Sequence, residues 1–229
     1  MRHRTARSVL ALLAVGAALA ATLVGLAPTS VGAGEAPTQT FSDVPPSHPF
    51  YEEIEWAAAN GYTTGYPDGT FRGTQSVSKE AFAAFVWRAA GQPDPAACPS
   101  EGTCWQDWCT FSDVSGSAFV DALRWTMSVG GVDCQWFVPQ GPRPYHPGHA
   151  QARDRAARVL MTGLDLGYDG DPPPTFADVP ISNANYGWVE EAANLGITNG
   201  YADGLYHPRN PVSRQAAIAF LYRAMHLTS

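Results

Sequence analysis

Three basic side chains occupy the same place in three similar stretches of the sequence, and they are the residues best suited to bind a charged partner. They are Lys79, Arg153 and Arg214, and each begins an apolar stretch with helical spacing. A cation in the first turn of a helix opposes the helix dipole and costs a few tenths of a kcal/mol. Three such cations predict an anionic partner, which is either a ligand or an Asp of a neighbouring stretch.

Two turns carry acidic and glycine residues that suit a sugar ligand. Asp68-Gly69 and Asp203-Gly204 lie in Gly-Tyr-x-Asp-Gly sequences, and their carboxylates are candidates to accept hydrogen bonds from sugar hydroxyls. The alternative is that each Asp binds the backbone of its own turn. Nearby aromatic residues can stack on sugars or fill the core, and their spacing favours the core; they are Trp56, Tyr66, Trp125 and Tyr201.

The remaining acidic and histidine residues form no catalytic pattern. Glu52-Glu53 and Glu190-Glu191 are adjacent on predicted helices, so we interpret them as solvated faces rather than as the carboxylate pair of a glycosidase. His146 and His149 have no partner at metal-ligand spacing. Nucleotide-binding motifs are missing from the sequence. We therefore expect neither enzyme activity nor a cofactor or metal site.

The N-terminus predicts export from the cell. Residues 1–33 combine a basic start, an apolar run and a Val-Gly-Ala exit, which is typical of a cleaved signal peptide. The alternative is an uncleaved membrane anchor. No later segment is long and apolar enough to span a membrane.

The cysteines fit the same environment. The four, Cys98, Cys104, Cys109 and Cys134, fall in one stretch. An even number in an exported chain favours two disulfides, and a four-thiolate zinc site is the alternative. Three pairings are possible, and the sequence does not choose between them.

Composition limits the partner class. The chain has 229 residues, 45% of them hydrophobic, and a net charge of −7. Because residues 1–33 contain three Arg and no acid, their removal leaves 11 basic and 21 acidic residues, a net charge of −10. This acidity argues against nucleic acid as the partner.

The chain also repeats itself. Residues 41–90 and 176–225 align without a gap, with 22 identities in 50 positions. Residues 111–163 form a weaker middle copy that lacks the Gly-Tyr-x-Asp-Gly turn. The predicted organisation is a signal peptide at 1–33, repeats at 41–90, 111–163 and 176–226, a Cys- and Pro-bearing linker at 91–110, and a Pro-rich linker at 164–175.

Each repeat has the pattern of a helix, a turn and a second helix. Gly61 is placed to end the first helix, and Ser78 to cap the second. Asp43, Asp113 and Asp178 are interpreted as caps before the first helices. One such unit buries too little to stand alone. The predicted fold is mainly α, with three helix-turn-helix repeats packed as a pseudo-threefold bundle.

These linked motifs resemble the S-layer homology domain. They are Phe-x-Asp-Val, a helix, Gly-Tyr-x-Asp-Gly-x-Phe, and Val-Ser-Lys or Val-Ser-Arg before an apolar helix. The resemblance is close over 41–90 and 176–226 and looser over 111–163. It implies a three-lobed helical prism that acts as an anchoring module outside the cell. Its grooves would hold cell-wall polysaccharide, often a polymer with negatively charged pyruvate ketals.

The resemblance also suggests which residues bind. The family's Thr-Arg-Ala-Glu element corresponds here to 78–81, 152–155 and 213–216, and its basic residue is associated with binding. This chain lacks the Glu of that capping box, so Ser78 and Ser213 must cap alone, and Ala152 cannot cap. Since repeats one and three keep the turn, the sequence favours Lys79 and Arg214 over Arg153.

We therefore expect a secreted, non-enzymatic cell-surface protein that binds an anionic cell-wall glycan, either a secondary cell-wall polymer or a peptidoglycan-linked glycan. The alternative is a structural component of the envelope that interacts with other surface proteins without binding glycan. Neither expectation involves nucleic acid or, after signal cleavage, a membrane.

Overall fold

The computed structural model describes residues 39–95, 111–132, 144–167 and 172–227. Within these ranges the protein is helical and has no β-strand, as predicted. It has two helices per repeat: α1 (Tyr51–Ala59), α2 (Lys79–Ala89), α3 (Val120–Ser128), α4 (Arg153–Gly163), α5 (Tyr186–Asn194) and α6 (Arg214–Met225).

The helix ends follow the local sequence. The Oγ atoms of Ser78 and Ser213 accept hydrogen bonds from the amides of Ala81 and Ala216, which confirms the two caps. Ala152 adopts the same extended backbone but offers no side-chain cap. Gly61 ends α1 with a φ of +72°, a conformation that glycine adopts at little cost.

The three repeats form a ring in which each repeat packs against the next one. The second helix of each repeat packs on the first helix of the next, so α2 contacts α3, α4 contacts α5, and α6 contacts α1. The three second helices also contact one another. Most of the buried apolar side chains form a single cluster drawn from all three repeats. No repeat therefore has a core of its own.

A closed ring of backbone hydrogen bonds joins the segments that lead into the second helices. The amide of Val77 donates to the carbonyl of Val212, that of Val212 to Gln151, and that of Gln151 to Val77, each at 2.9 Å. The first amides of α2, α4 and α6 then donate to loop carbonyls of the neighbouring repeat. Helix N-termini leave such amides without partners inside the helix, and here the next repeat supplies the acceptors.

The aspartates at the equivalent position of each repeat do not have the role that the sequence predicted for them. Asp43, Asp113 and Asp178 cap no helix; instead each carboxylate accepts two successive backbone amides of the turn in its own repeat, at distances of 2.7–2.9 Å. The second amide of each pair belongs to a non-glycine residue with φ of +54° to +58°. In this left-handed conformation, neighbouring N–H groups converge and favour an anion. The aspartates therefore stabilise a strained turn.

The prediction of a solvated face was wrong for Glu190. Its side chain is fully buried, and its carboxylate accepts the amides of Thr175, at 2.6 Å, and Phe176, at 3.4 Å. Glu55 holds the equivalent place in repeat one, where its carboxylate accepts the amide and the hydroxyl of Thr40. In both repeats this glutamate of the first helix therefore binds the segment that begins the repeat.

Several predictions fall outside the described ranges. The signal peptide at 1–33 and all four cysteines lie outside the residues that the structure describes. The limits of the repeats and linkers stay predictions. In the part of the chain that the structure describes, no helix is long and apolar enough to cross a membrane.

Candidate functional site

Each of the three cations reaches into the turn of the next repeat around the ring. Arg214 Nε donates to the Phe71 carbonyl at 2.9 Å, and Arg153 Nε to the Tyr206 carbonyl at 3.0 Å. Lys79 Nζ donates to the Tyr145 carbonyl at 2.6 Å. Each cation therefore lies where two repeats meet, and these three junctions are the grooves of the ring.

The acceptor residues in these grooves are also those that the aspartate clamps hold. Asp43 binds the amide of Phe71, Asp113 that of Tyr145, and Asp178 that of Tyr206. Each of these aspartates, here called a clamp, therefore holds in place the residue whose carbonyl oxygen accepts the hydrogen bond from the cation. The position of the cation depends on an acid that lies in the other repeat.

Aromatic rings surround the two arginines. The Arg214 guanidinium lies 4.9, 5.0 and 5.3 Å from the ring centres of Tyr66, Phe71 and Phe85. Arg153 lies 4.7, 4.7 and 5.2 Å from those of Tyr201, Tyr206 and Phe220. Ring faces attract cations, so the rings hold each guanidinium in place while leaving its charge uncancelled.

The two arginines are largely withdrawn from water, and Lys79 is partly exposed. Arg214 is 6% and Arg153 5% exposed. Burial lowers the pKa of the Arg214 guanidinium. Burial, and then the charge of Arg155, lower that of the Lys79 ammonium. Among the described residues no carboxylate lies within ion-pair distance of any of these cations, so the alternative of a salt bridge to an Asp of a neighbouring repeat is not seen there.

The two intact turns use their aspartates internally. Asp68 Oδ1 accepts the Thr70 amide at 3.1 Å and Oδ2 pairs with Arg72 at 2.7 Å. The Thr70 and Arg72 hydrogen bonds lower the Asp68 pKa to about 2. Asp203 likewise binds the Leu205 amide and His207 Nε2, the latter at 2.7 Å. The glycines that begin and end each turn have left-handed backbone conformations; they are Gly65, Gly69, Gly200 and Gly204. Both carboxylates remain half-exposed at the surface.

Repeat two lacks the Gly-Tyr-x-Asp-Gly sequence, and its histidines are arranged differently from the equivalent residues of the other repeats. His146 occupies the left-handed position of Arg72 and His207, but its ring stacks on that of His149, with centres 4.6 Å apart. The groove affected is the one that holds Lys79, because Lys79 reaches into repeat two. The described residues include no group of three metal-ligating side chains.

The aromatic residues divide between core and groove. Trp125 is in the core, as predicted, and Trp56 is half-buried against Tyr62 and Tyr222. Tyr201 is 44% exposed and Tyr66 half-buried, so neither is a core residue. They line the Arg153 and Arg214 grooves.

Sequence reasoning gave no role to the aromatic residue at the equivalent position of each repeat, two residues after the Gly-Tyr-x-Asp-Gly sequence in repeats one and three. Phe71, Tyr145 and Tyr206 each accept a cation on their carbonyl. The signal was available, because an aromatic residue stands here in all three repeats, even where the rest of the turn is lost.

The repeated geometry agrees with a comparison against models of protein families. The S-layer homology domain matches residues 40–83 and 175–218. The chain contains S-layer homology domains. The matched stretches are the first and third predicted repeats, which keep both the turn and the Ser-capped second helix.

Curated surface proteins are similar to this S-layer homology chain. The S-layer protein EA1 of Bacillus anthracis is 28% identical over 191 residues, which cover 80% of this chain and 20% of the relative. Cell surface glycoprotein 1 of Acetivibrio thermocellus is 24% identical over 173 residues, covering 72% and 7%. The outer membrane protein SlpA of Thermus thermophilus is 42% identical over 52 residues, covering 23% and 6%. The matches thus span a fifth or less of these relatives.

Proposed function

We propose that this protein is a secreted, non-enzymatic cell-surface protein that binds an anionic cell-wall polysaccharide in the grooves between its S-layer homology repeats. Its relatives carry the names of S-layer and cell-surface proteins, which supports a place at the cell surface. The repeats provide three similar grooves, and each contains one cation of the set Lys79, Arg153 and Arg214. A cell-wall polysaccharide is repetitive as well.

The Arg214 guanidinium carries this proposal. It is nine-tenths buried and surrounded by rings, and within the described residues only its Nε has a hydrogen-bond acceptor. A guanidinium has five N–H donors in a planar fork that matches a carboxylate. A buried charge without a counter-ion is costly, and an anionic ligand would offset that cost.

The surrounding residues suit a sugar. Tyr66 and Tyr201 present ring faces beside the cations. We propose that Arg214 and Arg153 bind the anionic substituent, with Asp68-Gly69 and Asp203-Gly204 at the groove edges. Lys79 is the third cation of the set, in the groove whose turn has changed.

Retention on purified cell walls tests the proposal. The double variant Arg153→Ala with Arg214→Ala should reduce the retained fraction at least tenfold relative to the unaltered protein. Arg209→Ala is the control, because Arg209 is an exposed residue outside these contacts. Arg214→Lys, which keeps the charge but not the fork, should give an intermediate loss.

Thermal unfolding of each variant separates a binding defect from a folding defect, and binding is compared only where the protein is folded. The proposal is overturned if the unaltered protein is not retained on any wall preparation. It is also overturned if the folded double variant is retained equally well.

A further inference from the structure

A basic cavity lies beside Lys79, in the groove that involves repeat two. Its volume is about 430 Å³, and its wall includes the side chains of Lys79, His146, Arg155 and Arg158. Small-molecule sites commonly have volumes of about 300–1,000 Å³. The cavity is therefore large enough for a sugar-sized group.

The cavity concentrates positive charge in an acidic protein. Its wall contains the basic side chains of Lys79, Arg155 and Arg158, and among its described lining residues none is acidic. The nearby carboxylate of Asp113 is engaged by the amides of Tyr145 and His146. The charge of Arg155 contributes to the lowered pKa of Lys79, which agrees with mutual repulsion between them.

Two of the three arginines of α4 stand at positions where the other two repeats have alanine. Arg155 occupies the position that is Ala81 in repeat one and Ala216 in repeat three. Arg158 likewise aligns with alanines, although its Nε also donates to the Gly130 carbonyl at 2.8 Å. The Arg155 side chain is exposed, and no described residue accepts a hydrogen bond from its guanidinium. Because alanine at this position is compatible with the fold in the other two repeats, folding alone does not explain the presence of Arg155.

We propose that this cavity binds a multiply charged, phosphate-bearing group, with Arg155 and Lys79 as its ligands and Arg158 adding charge. A carboxylate brings a single negative charge, whereas a phosphate monoester brings about 1.5–2 charges and three acceptor oxygens. Lys79 and Arg155, which lie in one cavity without a described carboxylate at ion-pair distance, match the second better than the first. That the group belongs to a wall polymer rests on the proposed function; the cavity assignment does not.

Calorimetric titration of the purified protein with inorganic pyrophosphate tests the assignment, with acetate as the single-charge comparison. Pyrophosphate should bind at least tenfold more tightly than acetate. Arg155→Ala should weaken pyrophosphate binding at least tenfold, and Arg155→Lys less than Arg155→Ala. Arg124→Ala, which removes an exposed arginine of α3 outside the cavity wall, should change it less than twofold.

Salt supplies a second readout, because a rise from 50 to 200 mM NaCl should weaken this binding several-fold by screening. The assignment is overturned if pyrophosphate binds no more tightly than acetate, or if folded Arg155→Ala binds it as the unaltered protein does.

Cell walls with and without their phosphate polymers separate this inference from the proposed function. Arg155→Ala should reduce retention on intact walls and have no effect on walls from which hydrofluoric acid has removed phosphate. If retention depends on Arg153 and Arg214 but not on Arg155 or phosphate, the proposed function stands and the phosphate assignment falls. If pyrophosphate binds through Arg155 but the protein is retained on no wall preparation, the cavity assignment stands and the proposed wall binding falls.

Discussion

The glycine that begins the turn of repeat one offers a sharp test of how tightly that turn is packed. Gly65 has a φ of +64°, and a Cβ added to it would overlap Cε1 of Phe41 and lie 2.7 Å from the Thr70 carbonyl oxygen. Gly61 has a similar φ of +72°, but a Cβ there would meet nothing within 4 Å. Alanine at the two positions therefore separates backbone strain from steric overlap.

The expected losses differ because only one substitution adds overlap. A non-glycine residue in the left-handed conformation costs about 1–2 kcal/mol, and both substitutions incur that cost. Overpacking against a buried ring and a fixed carbonyl costs about 1–3 kcal/mol more. We expect Gly61→Ala to lower the free energy of unfolding by about 1–2 kcal/mol, and Gly65→Ala by about 2–5 kcal/mol.

Urea unfolding followed by tryptophan fluorescence measures both values, with the oxidation state of the cysteines held constant. Equal slopes against urea for the two variants would show that their unfolded states are comparable. Because Gly65 and Phe71 belong to the same turn, and the Phe71 carbonyl receives Arg214, folded Gly65→Ala should also be retained less well on cell walls. Equal losses of stability for the two variants would refute the packing argument.

Two further predictions concern acids of the scaffold. Glu190→Ala should lower the free energy of unfolding by about 2–4 kcal/mol, because the fully buried Glu190 carboxylate is the charged acceptor of two amides. Glu55→Ala, at the partly exposed counterpart, should cost under about 1 kcal/mol; similar losses in chemical unfolding would contradict the role of burial. Asp68 has a pKa lowered from 3.8 to about 2 in the folded protein, so its stabilising effect should be complete above pH 4 and disappear as the pH falls towards 2. The melting temperatures of the unaltered protein and Asp68→Asn should therefore converge over that interval, and a constant difference would show that its ionisation is not involved.

Local features of the fold could be predicted from the sequence because they depend on residues close together in the chain. The Ser78 and Ser213 caps and the glycine that ends α1 follow from the conformations of a few neighbouring residues. The repeat was visible as matched motifs at a fixed offset, and one hairpin alone buries too little, so a shared core was expected. The structure confirms the helical class.

The errors came from contacts between distant residues. Glu190-Glu191 resembles the solvated pair Glu52-Glu53 when read locally, yet the offset of 135 residues aligns Glu190 with Glu55. The aspartate clamps also join residues 28–33 positions apart. Helical periodicity carries no information on such pairings, which are fixed only when the turn folds back over its own first helix.

Because each cation contacts the turn of the next repeat, the divergent repeat two alters the groove of Lys79 rather than that of Arg153. The sequence associates each cation with the turn of its own repeat, which placed Arg153 beside the missing turn. The ring instead brings Arg153 to the intact turn of repeat three and Lys79 to the altered one. The two grooves with complete turns are thus those of Arg153 and Arg214. The groove that departs from the pattern gains Arg155 and Arg158 in its wall, so loss of the turn and gain of charge coincide at one site, as expected if this groove has been adapted to a more highly charged ligand.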